Sequence, residues 1–278
     1  MVGYISDEFY EMIPRRETFE LLGLFSKAVY FRGSTGSILL IFEEKFGLIP
    51  FGVAVSDFRE AGVNAGCGVV LEDGRLTVLK DGAEVQRITL AERKVKRVRP
   101  GQSLSRFRKK ALEALAASDK GALRQIILAE AEEAIYAGRL AQELGVIKKW
   151  LSSIQEDEPK NHPKLEQLKE SLQKLIGLGP GLTPSCDDFF VGYLYAQRYF
   201  GAEQTLLKEC IKEIAPAQTT AASAAFLQSV CDGRTISVIE DLFAAQSEAE
   251  LEAALARLLA VGSNSGADIL TGILWDRV

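Results

Sequence analysis

The sequence has few of the residues from which common catalytic and metal sites are built. It contains a single histidine, His162, which lies in the polar segment EDEPKNHPK. Nucleophile systems that pair serine or cysteine with histidine need a histidine that packing holds against its partner. We therefore interpret His162 as a surface residue. A single histidine also excludes histidine-rich metal sites.

Cysteine pairs and long apolar segments are absent as well. The four cysteines form no CxxC pair, which argues against a zinc site built on thiolates; they are Cys67, Cys186, Cys210 and Cys231. No apolar run approaches the roughly 18–20 residues that a membrane span needs. The N-terminus has early acidic residues and no apolar core segment, so we expect no signal peptide. We predict a cytoplasmic protein with reduced cysteines.

The composition is that of an ordinary soluble globular protein. Of the 278 residues, 47% are hydrophobic and 26% are charged, and the length suits one large domain or two modest ones. The formal net charge is −5, which argues against general nucleic-acid binding. We expect neither nucleic acid nor a membrane among the partners.

The pattern of residues changes near position 100. Short runs of β-branched and aromatic residues, divided by glycines, predict strands before that point. Asp73-Gly74 and Asp81-Gly82 lie between alternating apolar residues and predict two hairpins. Beyond about residue 103 the chain is rich in Ala, Leu, Glu and Arg at helical spacing. We predict an α+β fold: a β-rich domain of antiparallel strands with Asp-Gly hairpins over residues 1–100, then a mainly helical domain over 101–278.

One strongly basic segment covers the predicted junction. Between Arg93 and Lys110 there are nine basic residues and no acidic one, so the rest of the chain carries −14. The segment is interpreted as a solvated surface, as an anion pocket for a small acidic substrate, or as a docking surface for an acidic partner. Nucleic acid is disfavoured because the remaining surface would repel it.

The most unusual segment is LIGLGPGLTPSCDDFFVGYLYA, residues 175–196. Its glycines surround Pro180 and form a flexible turn. Ser185 is a suitable helix N-cap, and Asp188 three residues later completes a pair like a capping box. A well-capped helix after a turn is therefore one interpretation. Cys186, at the first helical turn, would have a lowered thiol pKa, but no histidine is available to act as its base.

A second segment, VGSNSGADILTGIL at 261–274, repeats the same pattern. When Asp188 is aligned with Asp268, Thr183-Pro184-Ser185 matches Ser263-Asn264-Ser265, and Gly192 matches Gly272. Each acid and its glycine are four residues apart and share one helical face, and glycine allows another backbone to approach closely. Two such helix starts packed together would present hydroxyl and backbone N–H groups to a ligand.

A third segment, residues 217–223, combines small and hydroxylated residues. It is interpreted either as a close helix contact or as a further part of the same pocket, contributed by Thr219, Thr220 and Ser223. Carboxylates beside N–H donors suit a small ligand with an anionic end and amide-like N–H groups. A Mg²⁺ ion that bridges acid and anion would also fit. Asp187 has only Ala267 as its counterpart, so we predict that Asp187 is the chemically active acid.

These motifs resemble the AllH-type subunit family of oxamate carbamoyltransferase. The segment Gly179–Asp188 is similar to the GxGLTPSGDD type of motif, and two later segments support it by their order and spacing: Thr219, Thr220 and Ser223, then Gly262, Ser263, Ser265, Gly266 and Asp268. The sequence departs at Cys186, where the family pattern usually has glycine. That departure argues against Cys186 as a nucleophile of the family.

The resemblance implies an enzyme subunit that works with companion chains in purine-ureide (allantoin) catabolism. The family reaction transfers a carbamoyl group between oxamate and phosphate and gives carbamoyl phosphate in the catabolic direction. Asp187 and Asp188 are then the catalytic candidates. The substrate-binding candidates are Gly179, Gly181, Thr183, Ser185, Thr219, Thr220, Ser223, Ser263, Asn264, Ser265, Gly266 and Asp268.

A non-catalytic scaffold, or a subunit that binds a small acid or amide, is the alternative. In that case the two motifs are only capped helix contacts. The two hypotheses differ in whether residues 183–188, 219–223 and 263–268 meet at one pocket.

Overall fold

The computed structural model describes residues 1–12, 14–95, 104–128, 135–152, 163–200 and 204–275. His162 and residues 96–103 of the basic segment lie outside the described residues. The chain forms two compact units. The first comprises Met1–Val98 and Arg234–Ala244, and the second comprises Arg99–Gly233 and Ala245–Val278.

The first unit is a closed eight-stranded barrel. Its strand order is β1-β5-β4-β3-β2-β6-β7-β8, and β8 closes on β1. The strands are β1 (Val2–Ser6), β2 (Arg16–Leu24), β3 (Ala28–Gly33), β4 (Ile38–Glu43), β5 (Gly52–Val55), β6 (Cys67–Glu72), β7 (Arg75–Lys80) and β8 (Ala83–Arg93). A helix α1 (Asp7–Met12) follows β1, and a 3-10 helix (Glu44–Phe46) follows β4.

The predicted antiparallel β-rich part is wrong, because the barrel is mixed. β1 pairs with β8 in parallel, and β4 pairs with β5 in parallel. The two Asp-Gly hairpins do occur and join β6, β7 and β8; Asp73 and Asp81 have φ of 46° and 52°, as such turns require. An Asp-Gly pair predicts only that the two strands which it joins are antiparallel neighbours. The pairing that closes the barrel joins its first and last strands and has no local signal.

The barrel interior is filled by alternate residues of the strands. Phe31, Leu71, Leu76 and Ile88 are fully or almost fully buried. Burial of each such side chain contributes about 1.5–3 kcal/mol. This interior is therefore a packed core.

A short helix late in the chain belongs to the barrel unit. Helix α9 (Ser237–Ala244) is preceded by Thr235, whose backbone N–H and hydroxyl donate to the Glu8 carboxylate at 2.8 and 3.0 Å. The Leu48 amide donates to the Ser237 hydroxyl at 2.7 Å. These bonds hold residues 234–244 against α1 and the segment after β4.

The second unit is helical. Its helices are α2 (Leu104–Ala117), α3 (Gln125–Leu128), α4 (Ile135–Leu151), α5 (Pro163–Leu175), α6 (Ser185–Tyr199), α7 (Thr205–Gln218), α8 (Ala221–Cys231), α10 (Glu248–Leu259) and α11 (Ser265–Trp275). Helices α6 and α11 form its centre and are buried along nearly their whole length. Among the described residues, no helix has the length and apolar character needed to cross a membrane.

Candidate functional site

Helices α6 and α11 cross where the two aligned glycines lie. A Cβ atom on Gly192 would lie 1.9 Å from the Ile269 carbonyl oxygen, and one on Gly272 would lie 1.9 Å from the Phe189 carbonyl oxygen. Ile269 follows Asp268 and Phe189 follows Asp188, so the contacts are reciprocal. The close approach predicted from the repeated spacing is confirmed.

Hydrogen bonds between the two motifs are reciprocal as well. The Asp188 carboxylate accepts from the hydroxyls of Ser265 and Thr183, and the Asp268 carboxylate accepts from the hydroxyl of Ser185. The oxygens of Thr183 and Ser265 are 3.0 Å apart. Each motif therefore provides the serine that binds the acid of the other, as in an approximate two-fold arrangement.

Asp187 belongs to a separate network on one side of this crossing. Its Oδ1 atom accepts from the Gly177 amide at 2.8 Å, and its Oδ2 atom accepts from the hydroxyl of Ser223 at 2.6 Å and from that of Thr219. The side chain is fully buried. Asp187 thus joins the glycine-rich loop to the start of α8, and its catalytic role stays a prediction.

The third motif therefore meets the first. Thr220 is the N-cap of α8, where its hydroxyl accepts from the Ser223 amide at 3.1 Å and donates to the Leu182 carbonyl. Thr219 and Thr220 are half-buried, whereas Ser223 is buried. The two interpretations of this segment are compatible, since the close helix contact is what brings its hydroxyls to the glycine-rich loop.

The helix starts differ from the predicted ones. Pro184, not Ser185, is the N-cap of α6, and no side chain caps it, so the predicted capping box is absent. The amides of residues 186–188 donate to the carbonyls of Leu178 and Pro184, and those of residues 266–268 donate to the carbonyls of Val261 and Asn264. The idea that these amides are free for a ligand is therefore wrong. Ser185 and Asp188 serve the contact between helices instead.

The glycines of the loop have different roles. Gly177, Gly179 and Gly181 all have positive φ, at 82°, 126° and 97°. A Cβ atom would lie 2.2 Å from the Gln218 carbonyl oxygen at the first position and 2.6 Å from the Ser185 nitrogen at the second. At Gly181 it would meet nothing within 4 Å, because this glycine lies at the surface. Packing therefore requires the first two glycines.

The acids of the crossing are held in an environment that disfavours charge. Burial raises the pKa of Asp268 to about 6, against the lowering effect of hydrogen bonds from Leu123, Ser185 and Ala122. Burial and the neighbouring Asp268 charge raise the pKa of Asp188 well above its usual value. Burial also raises the pKa of Asp187 and outweighs its three donors.

Cys186 cannot act as the thiolate that its position suggested. Its side chain is buried, and burial together with the charges of Asp187 and Asp268 raises the thiol pKa to about 12. The thiol stays neutral at physiological pH. Burial and the raised pKa therefore argue against Cys186 as a nucleophile.

One segment that contributes to the crossing was missed by the sequence analysis. The Leu123 amide donates to Asp268 Oδ1 at 3.0 Å, and the Gly121 amide donates to Asn264 Oδ1 at 3.3 Å. Backbone amides supply both contacts. Because every residue except proline has a backbone amide, such donors cannot be recognised from the residue type. The glycine at 121, with φ of 94°, is the one signal that could have identified the turn.

The residues available to a ligand lie at the edge of this buried network. Ser263 and Gly181 are exposed, and six other candidates are half-buried: Gly179, Thr183, Thr219, Thr220, Asn264 and Ser265. Gly266 is buried and tightly packed, since a Cβ there would lie 1.8 Å from the Leu258 carbonyl oxygen. The three motifs therefore meet, but packed side chains fill the centre.

A metal centre of many acidic or sulfur ligands is not found in this region. Among the described residues, no group of three or more His, Cys, Asp or Glu side chains could hold a metal ion. The Mg²⁺ alternative stays a prediction.

The described ends of the basic segment are partly neutralised. Arg93 forms an ion pair with Glu44 at 2.5 Å, and Lys110 forms ion pairs with Glu248 and Glu252 at 2.5 and 2.9 Å. These pairs favour a solvated surface at both ends of the segment.

Comparison with models of protein families gives a match in the C-terminal part of the chain. Residues 175–276 match the family model of the oxamate carbamoyltransferase subunit AllH. This range contains all three motifs, and the resemblance drawn from them is confirmed over that range. No solved structure matches the chain.

Proposed function

We propose that this chain is a subunit of a cytoplasmic carbamoyltransferase complex that acts on oxamate and carbamoyl phosphate in purine-ureide catabolism. The observation that supports it is the hydrogen-bonded meeting of the three motifs within the range that matches AllH. The ligand would bind at the edge of the crossing, beside the glycine-rich loop, Thr219 and Ser263.

The charge of this region favours action together with companion subunits. The three motifs, residues 177–188, 217–223 and 261–268, contain three carboxyl groups in all, Asp187, Asp188 and Asp268, and no Lys, Arg or His. An anionic substrate next to buried carboxylates needs a positive charge from elsewhere. A companion subunit is the source that we propose, so the chain alone is expected to be inactive.

The reaction itself places modest demands on side-chain chemistry. In the catabolic direction, a phosphate oxygen attacks the carbamoyl carbon of carbamoylated oxamate. The bond between that carbon and the oxamate nitrogen breaks, and the nitrogen takes a proton as oxamate leaves. Positioning of the two anions and stabilisation of the developing charge would supply the rate enhancement, and no histidine or thiolate is required.

The test is carbamoyl transfer measured for this chain alone and with the other subunits of the enzyme. Ser263→Asp adds a negative charge at an exposed position and should raise KM for the anionic substrate at least tenfold without lowering stability. Ser26→Asp, at an exposed turn of the barrel unit, is the matched control. Equal KM values for the two variants would contradict a site beside Ser263.

The alternative is a non-catalytic scaffold or small-acid-binding subunit. The observation that favours it is the packed centre of the crossing, in which Asp268 has no exposed surface, together with the complete burial of Asp187 beside it. Full activity of the companion subunits without this chain, together with no binding of oxamate by the chain, would support the scaffold.

A further inference from the structure

The α6–α11 crossing buries two carboxyl groups without a cationic partner. Asp188 is 6% exposed and Asp268 is 0% exposed. Among the described residues, neither forms an ion pair with a Lys, Arg or His side chain. Two ionised carboxylates in such a place are strongly disfavoured, because burial and like charge both oppose ionisation.

One carboxylate oxygen of these two aspartates lacks a hydrogen-bond partner. Asp188 accepts from two hydroxyls. Asp268 accepts from the Ser185 hydroxyl and the Ala122 amide, and its Oδ1 atom accepts from the Leu123 amide. The Asp268 Oδ2 atom is buried and has no hydrogen-bond partner. Buried polar atoms in native proteins are nearly always paired. This oxygen therefore needs a positive partner, and a proton is the simplest one.

We propose that Asp188 and Asp268 form an acid pair that retains one proton at neutral pH, and that loss of this proton weakens the α6–α11 crossing. The proton removes one of the two charges. The hydroxyls of Thr183, Ser185 and Ser265 remain hydrogen-bonded to the pair in either state, because a hydroxyl can rotate.

Among the described residues, the charged and titratable groups near the pair are engaged elsewhere. On α6, the groups nearest the pair are the neutral Cys186 thiol and the Asp187 carboxyl, which has its own donors. On α2 and α10, Lys110 is engaged at the surface with Glu248 and Glu252. The α2–α3 connection contributes backbone amides, and its Lys120 ammonium donates to the Leu259 carbonyl at 3.1 Å. Burial raises the pKa of Asp268 to about 6 and that of Asp188 further, which agrees with a retained proton.

The direction of the pH effect follows from the raised pKa values. Unfolded aspartates titrate near pH 3.9, so above about pH 4 the native state holds protons that the unfolded state has lost. The ratio of folded to unfolded protein then falls as pH rises, by up to tenfold per pH unit for each extra proton. For Asp268 this continues through about pH 6, and for Asp188 it continues above that.

The experiment is urea unfolding of the full chain between pH 5.5 and 8.5. We expect the folding equilibrium constant of the unaltered protein to fall about tenfold or more over this range. Asp268→Asn and Asp188→Asn should each reduce that fall to two- or threefold. Asp119→Asn, at an exposed aspartate of the same unit, should leave it unchanged. The proposal would be overturned by a folding equilibrium constant that does not fall as pH rises. It would also be overturned if this constant fell equally in all variants.

Two further measurements keep the proposal testable if a variant does not fold. In protein labelled with ¹³C-aspartate, the infrared carbonyl band of a protonated carboxyl should be present at pH 7 and vanish at alkaline pH. Its absence at pH 7 would overturn the proposal. Addition of Mg²⁺ at pH 8 should not restore stability. Restoration that depends on Asp268 would show that the pair binds a cation rather than a proton.

Discussion

Gly272→Ala tests whether the stability of the helical unit depends on the close approach of α6 and α11. In an exposed helix, the change from glycine to alanine stabilises by up to about 1 kcal/mol. Here the new Cβ atom would lie 1.9 Å from the Phe189 carbonyl oxygen and 2.9 Å from the Tyr193 nitrogen. Backbone atoms cannot rotate away as a side-chain end can. The two helices would therefore have to separate.

Separation would also disturb the aromatic cluster beside the crossing. The Trp275 ring is 5.4 Å from that of Phe189 and 4.9 Å from that of Tyr193, measured between centroids. Overpacking typically destabilises by about 1–3 kcal/mol, and a clash with backbone belongs at the upper end. We expect a loss of about 3 kcal/mol, which lowers Tm by roughly 6–12 °C in a unit of this size. Gly192→Ala should behave in the same way.

The assay is chemical and thermal unfolding followed by circular dichroism and tryptophan emission. The matched control is Gly145→Ala in α4, where the added Cβ would meet nothing within 4 Å. That variant should gain up to about 1 kcal/mol. If Gly192→Ala and Gly272→Ala raised the unfolding midpoint as the control does, the close crossing would be refuted.

Three other predictions follow from the site. Asp187→Asn should lower the free energy of unfolding by about 1–3 kcal/mol, because its amide NH₂ cannot accept from the hydroxyls that now donate to Asp187; an unchanged melt would contradict this. Cys186 should react with a thiol reagent at pH 8 only after denaturation, since its thiol is buried and its pKa is about 12; rapid labelling of this cysteine in the native protein would refute it. If the basic segment 93–110 docks a companion subunit, raising salt should weaken that binding, since charges are screened beyond about 8 Å at physiological ionic strength; salt-independent binding would leave the segment a solvated surface.

The sequence predicted those parts of the fold that depend on local or repeated patterns. The Asp-Gly pairs predicted the β6–β7–β8 hairpins because the turns need residues that tolerate positive φ. The matched spacing of Gly192 and Gly272 predicted the helix crossing because only glycine permits it. Closure of the barrel and the placement of Arg234–Ala244 with it could not be predicted. Both depend on contacts between distant parts of the chain.

The hydrogen-bond partners of side chains were harder to predict than the positions of turns and helices. Ser185 and Asp188 have the spacing of a capping box, and local preference alone favours that arrangement. In the structure Pro184 takes the N-cap position, and the serine and the acid bind partners on α11 instead. Local and tertiary hydrogen bonds compete for the same groups. Here the tertiary bonds prevail, because the crossing buries both side chains against the other motif, which supplies a partner to each of them.

The two motifs differ in one respect that bears on the proposed ligand site. A helix crossing needs only what is repeated: the glycine, the acid and the serine. Asp187 is not repeated, and its three hydrogen bonds order the glycine-rich loop against α8. The crossing would not need that loop to be fixed, whereas a ligand at its surface would. We therefore propose that a ligand of the helical unit would be recognised beside the unrepeated network around Asp187.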